Sequence, residues 1–447
     1  MKHLTYVLIL SIFFISCQDS KQKSTALISS FGEQPAVSKN TSGEIAVVFG
    51  NEESIYYSSS KNQGDSFSKP SLVAEHEGLV LGYSSGPGIA TTSTAVVVTA
   101  PDKSGNLYAW SRPVAAEVWS GPFRINDIEK SVGESLSDIT STPDGHLYCV
   151  WIDTRFLEEN SHAEHPVSKP KNHAVEPVSV KEDLNEITPI GITKGALYKK
   201  IGDVPKNAQL AFHDDNNGKL YWVFFDKDKN VLKAENYEAY KKFRERNGER
   251  VKTEGKIYLA SSSDGGKTWS KSKMIYRSPD GSVCECCKPS IISDNDGSIT
   301  VMFRNNLNGS RDLHFTTSVD GGKTFSIPQK LGSGTWKING CPMDGGDLIV
   351  NSRGELHTIW KRKGDIFMSN SSSSEEKIGA GKSPSIATYD EKTYLVFSQG
   401  EAIISTTPDN SAPTKIGTGS SPKVIALKNG ALYFWVNTEG INFKKVL

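Results

Sequence analysis

The octapeptide SSDGGKTW, Ser262 to Trp269, returns as SVDGGKTF, Ser318 to Phe325. A worn copy, SKNQGDSF, spans Ser60 to Phe67, with Asn62 in the place held by Asp264 and Asp320. No other feature limits the possible folds so tightly. A short acidic side chain early in a turn accepts hydrogen bonds from the backbone N–H groups of that turn. The glycine step permits φ > 0, and the terminal aromatic packs beneath neighbouring strands. Such a segment is a staple at a hairpin, so its return at intervals describes a chain of repeated β units.

Seven units align around these segments, starting at Pro35, Pro87, Ser137, Lys288, Gly345, Ser383 and Ser421. Each runs an apolar strand, turns at Asp-Gly or a similar pair, and continues into an aromatic-rich strand. The last unit ends after three strands. Thr25–Pro35 resembles Pro413–Pro422, the fourth strand of the unit before it. The N-terminal strand is therefore expected to complete the last unit and hide its open edge. Ser262, Asp264, Gly266 and Trp269, with Ser318, Asp320, Gly322 and Phe325, resemble the Asp-box (BNR) motif of the sialidase superfamily of β-propellers. The resemblance implies an all-β propeller over residues 25–447. The unit count gives seven blades; sialidase enzymes usually have six, so six blades with one unit misread stays open.

The N-terminus reads as an export signal. Residues 1–16 carry a basic start and an apolar run too short to span a bilayer. Cys17 follows at the end of that run and looks like a bacterial lipobox cysteine, with residues 17–24 as a polar tether. The expectation is a lipid-anchored protein of the cell envelope, held to the membrane by lipid only. The 51 basic residues balance the 51 acidic ones, so net charge gives no reason to expect a nucleic-acid partner.

Propeller geometry selects the residues that gather on one face: those just before each first strand and just after each second strand. Cys284, Cys286 and Cys287 precede the fourth unit, and Cys341 and Asp344 precede the fifth. Asp153 and Arg155 end the third unit's second strand, Arg304 and Asn305 the fourth's, Lys361 and Arg362 the fifth's. The third unit is interrupted at this face by residues 156–255, read as a lid or subdomain. That insert holds strand-like NAQLAFHDDNNGKLYWVFFD, a charged segment read as a helix, and His162, His165 and His173.

Two readings compete for the four face cysteines. In an exported chain the default is two disulfides, with Cys284 or Cys286 paired to Cys341. The alternative is a thiolate site for zinc or copper. Cys149 reads as a buried apolar residue. In the sialidase family an arginine triad clamps a substrate carboxylate, so Arg155, Arg304, Asn305, Lys361 and Arg362 form a candidate rim for an anionic glycan or another anionic small molecule. The family's Arg-Ile-Pro stretch is missing, and no nucleophilic Tyr–Glu pair matches by motif. A glycosidase would have to use Asp153 or Asp344 as its acid. The other classes are a non-catalytic binding or assembly propeller and a thiolate metal protein.

Overall fold

The computed structural model describes residues 25–154 except 83, the strands Leu210–Asp214, Lys219–Phe225 and Val231–Ala234, and residues 255–447 except 281, 339, 371–374 and 409–411. Seven four-stranded antiparallel sheets make seven blades, which settles the count against six. Their first strands are Glu33–Lys39, Gly88–Thr91, Val132–Ser141, Ser290–Ser293, Asp347–Val350, Lys382–Tyr389 and Ser420–Leu427. Each touches the next, and the seventh touches the first, so these strands form a closed inner ring. Among the described residues there is no helix. The three strands between residues 210 and 234 form a separate small sheet.

The second strand of each blade is buried on both faces because a blade lies between two others. Ile45–Phe49 and Leu147–Asp153 are buried throughout, which is why these strands read as continuous apolar runs rather than alternating ones. Each interface between blades has its own apolar cluster. Trp151 and Val97 meet between blades two and three, Phe303 and Val150 between three and four, Trp435 and Val396 between six and seven.

The staples work as their sequence implies. In the first, Asp264 Oδ1 accepts the Lys267 and Thr268 amides at 3.1 and 3.0 Å, and Oδ2 accepts the Thr268 hydroxyl. Ser262 Oγ accepts the Gly266 amide at 3.0 Å. Asp320, Thr324, Ser318 and Gly322 repeat the network. The worn copy keeps it through Asn62 Oδ1, which accepts the Ser66 amide at 3.0 Å. Gly266 sits at φ +86°, and a Cβ there would lie 2.8 Å from Val97 of the preceding blade. Trp269, Phe325 and Phe67 then fill the interfaces toward the preceding blades.

These hydrogen bonds hold the Asp320 carboxyl well below the usual range. They do the same for Asp264, where burial pulls the other way but loses. A carboxyl lowered on folding contributes stability above its unfolded value, and that contribution is lost as pH falls toward the folded one. The double variant Asp264→Asn/Asp320→Asn is therefore expected to melt less steeply with acid than wild type below about pH 4. Equal slopes in melts between pH 6 and 3 would refute this.

Closure uses both ends of the chain. Ala26–Ser29 pairs antiparallel with Gly440–Val446, with Ala26 opposite Phe443 and Leu27 opposite Asn442. Ile28 is buried among Phe434, Ile441 and Phe443. The N-terminal strand is thus the outer strand of blade seven.

Candidate functional site

Equivalent positions of the seven inner strands form one level of the axial channel. The register aligns Ala36, Gly88, Asp138, Ser290, Asp347, Ser385 and Lys423, each opposite the same position of its second strand. Blades one and two contribute small residues. Blades three to seven contribute polar ones, and Lys288 reaches in from just before blade four.

Asp138 pairs with the Lys288 ammonium at 3.0 Å, and its other oxygen accepts the Ile291 amide of blade four at 3.1 Å. Asp347 repeats the bracket two blades further on, accepting Ser385 Oγ at 2.8 Å and the Ile386 amide of blade six at 3.2 Å. Burial pushes the Asp347 carboxyl up, opposed by the nearby Lys423. Burial pushes the Lys423 ammonium down, with Lys288 adding to it and Asp347, Asp138 and Asp344 opposing it. Asp347 and Lys423 are half-buried, and each feels charges from other blades of the ring. The Lys423 ammonium makes no direct hydrogen bond or ion pair to any described residue.

Two of the arginines expected to face a ligand, Arg304 and Arg362, are engaged within the protein. Arg304 is 1% exposed. Its Nε and Nη2 donate to Asp344 O at 3.2 and 2.9 Å, Nη1 to Arg311 O at 2.6 Å, and Nη2 also to Lys361 O at 3.0 Å. It braces blade four to blade five. Arg362 grips Glu375 bidentately at 2.6 and 2.7 Å, over the Phe367 ring, and holds that carboxyl below its usual range. Asn305 is buried, donating to the Tyr276 hydroxyl at 2.8 Å. Lys361 Nζ reaches Pro342 O at 3.5 Å.

The two candidate acids are buried as well. Asp153 is 0% exposed and accepts the Trp151 indole N–H at 2.9 Å. It stands opposite Lys256, where the chain leaves and re-enters blade three. Asp344 is 3% exposed and accepts the Ser383 amide at 2.8 Å. Neither is placed to protonate a leaving group in solvent reach. Arg155, Cys17, the three histidines and the charged segment of the insert lie outside the described residues.

The four face cysteines do converge. One disulfide, Cys286–Cys341, spans blades four and five with Cα atoms 6.1 Å apart. The expectation of two disulfides is corrected to one, because Cys284 and Cys287 are free thiols. Both are buried, with sulfurs 3.5 Å apart, and Cys284 Sγ lies 3.6 Å from Cys286 Sγ. Burial raises the Cys287 thiol, but the Cys284 hydrogen bond, the Arg304 charge and the Asp344 amide outweigh it and bring it to about 7. Cys284, which gives the hydrogen bond, is pushed up. Cys149 is fully buried in its strand.

Residues 244–369 match a family model described as a BNR repeat-like domain. No curated protein matches the chain significantly. Among solved structures, a lectin from Burkholderia pseudomallei superposes with a TM-score of 0.54 at 10% identity, covering 94% of this chain and 96% of its own. A mutant of the NanB sialidase from Streptococcus pneumoniae gives 0.42 at 12% identity, covering 90% and 83%. An alpha-L-arabinanase from Penicillium chrysogenum gives 0.44 at 9% identity, covering 94% and 97%. Fold and repeat together define a BNR-repeat β-propeller. Likeness at this level of identity speaks to fold and not to activity.

Proposed function

We propose that this chain is an exported, lipid-anchored binding propeller of the cell envelope that takes an anionic glycan into its axial channel. The observation that carries the reading is Lys423. A half-buried ammonium lacking a direct partner is a costly arrangement, and an anion entering the channel would supply the missing contact. Lys288 adds a second positive group, while Asp138, Asp347 and the serines offer acceptors and donors for hydroxyls. That mixture suits a carboxylated or sulfated sugar better than a simple anion. Burial of Asp153 and Asp344 favours binding over hydrolysis. A lectin sharing the fold is consistent with it. Anchoring through Cys17 rests on the N-terminal sequence alone.

The test is calorimetric titration with sialic acid, uronic-acid oligosaccharides, sulfated sugars and neutral sugars. Acidic sugars should bind, and Lys423→Met should weaken them about 10- to 100-fold, the worth of one charged hydrogen bond. Because the Lys423 ammonium is lowered from its ordinary value, affinity should fall with rising pH before an ordinary lysine would discharge. Binding unaffected by Lys423→Met, or confined to neutral sugars, would overturn the proposal.

A further inference from the structure

The disulfide brace leaves two of the four cysteines unexplained. Joining blades four and five takes Cys286 and Cys341 only, yet Cys284 and Cys287 are crowded against them. The sulfurs of Cys284, Cys286 and Cys287 all lie within 4.8 Å of one another. A tetrahedral thiolate site with metal–sulfur bonds of about 2.3 Å has sulfurs about 3.8 Å apart. The 3.5 and 3.6 Å separations are close to that edge length.

The turn that presents these sulfurs is held without help from the disulfide. The Cys284 amide donates to Arg304 O at 2.8 Å, the Val283 amide to Gly255 O at 2.9 Å, and the Cys287 amide to Cys284 O at 3.3 Å. Glu285 Oε1 accepts the Gly255 amide at 3.0 Å and the Ser282 hydroxyl at 2.7 Å. Opening the Cys286–Cys341 bond would leave three cysteines in place on a fixed turn.

A second observation is independent of the sulfurs. The buried Arg304 guanidinium gives its hydrogen bonds to carbonyl oxygens, and no carboxylate contacts it among the described residues. The residue lies beside the cysteine turn, since the Cys284 amide donates to Arg304 O at 2.8 Å. A thiolate–metal complex carries net negative charge, so it would neutralise a buried cation that lacks an ionic partner.

We propose that Cys284, Cys286, Cys287 and Cys341 form a redox-gated site for a soft monovalent cation, copper(I), closed by the disulfide and opened by its reduction. Two electrons from the reductant and two protons convert the disulfide to two thiols: a dithiol gives both and becomes a disulfide, whereas a phosphine gives the electrons, water gives the protons, and the water oxygen leaves in the phosphine oxide. Copper(I) then binds as thiolates, releasing their protons to solvent. Soft thiolate ligands select copper(I) over harder ions. The proposal is independent of glycan binding, which involves other side chains.

The experiment uses the full chain carrying Cys17→Ser, compared oxidised and after anaerobic phosphine reduction. Copper(I) is titrated against the chelator bathocuproine disulfonate. The reduced chain should hold one copper(I), displace equimolar zinc, and show only sulfur neighbours by X-ray absorption. The oxidised chain should hold none. The double variant Cys284→Ser/Cys287→Ser, folded by circular dichroism, should bind about 100-fold more weakly or worse. Copper retained equally by the oxidised chain or the folded double variant would overturn the site, as would zinc retained against copper. If the double variant fails to fold, X-ray absorption of the parent chain decides: nitrogen or oxygen neighbours refute the proposal.

Discussion

Arg304→Met is expected to lower stability by about 3 kcal/mol or more. The methionine fills the path of the arginine stem, so packing loss is small. What remains is three backbone carbonyls, of Asp344, Arg311 and Lys361, each left without its donor at about 1–3 kcal/mol. Arg304→Lys should recover only part, because one ammonium at the end of a flexible stem cannot serve three directions at once. Urea denaturation of both variants is the measurement. A loss below about 1 kcal/mol for Arg304→Met would show that the brace is dispensable.

Gly345→Ala is expected to have a comparable or larger effect for a different reason. A Cβ at Gly345 would lie 1.9 Å from Lys288 O, with Lys288 C and N at 2.9 and 3.2 Å. These are backbone atoms at the entry to blade four, between the cysteine turn and the Asp138 bracket, and they have no rotamer through which to yield. Overpacking ordinarily costs about 1–3 kcal/mol, and a clash with fixed backbone belongs at or beyond the upper end. Gly82→Ala is the control, since nothing lies within 4 Å of its Cβ position. It should change stability by less than about 0.5 kcal/mol. Equal stability of the two variants would refute the clash argument.

The parts of the architecture that repeat were legible from the chain. The Asp264 and Asp320 turns mark hairpins because their hydrogen bonds are local, within five residues. The ring-closing strand was legible because Thr25–Pro35 shares the character of the strand it replaces in register. Blade adjacency brought Cys341 beside the cysteine cluster but left its partner open between Cys284 and Cys286, and the structure pairs it with Cys286. The partners of Arg304 and Arg362 were not legible because they are not local. Arg304 meets carbonyls from three separate segments, and Arg362 meets Glu375 across a hairpin. A strand-end arginine looks the same in sequence whether it faces solvent or a neighbouring blade.

Asp138, Asp347 and Lys423 were missed although a signal existed. Aligning the seven units at Pro35, Pro87, Ser137, Pro289, Gly346, Pro384 and Pro422 places these residues in the next column, with Ala36, Gly88, Ser290 and Ser385. The column has no shared residue type, so a search for conserved repeat character passes over it. Its meaning comes only from the closed ring, which turns equivalent positions into neighbours around one axis.

The pairing of Ala26–Ser29 with Gly440–Val446 also sets an order of events in the life of the chain. The strand made first waits for the strand made last. Blades one to six can be assembled from consecutive segments as they emerge, but the seventh needs the final residues and the first ones together. Until Gly440–Val446 has been made, Ala26–Ser29 lacks this partner and the ring has an open seam flanked by apolar interfaces. Such exposed edges and surfaces invite mispairing during folding. Long-range closure of this kind is intrinsically slow. The same contact that removes the edge from the finished ring therefore makes completion of the ring a late, all-or-none step.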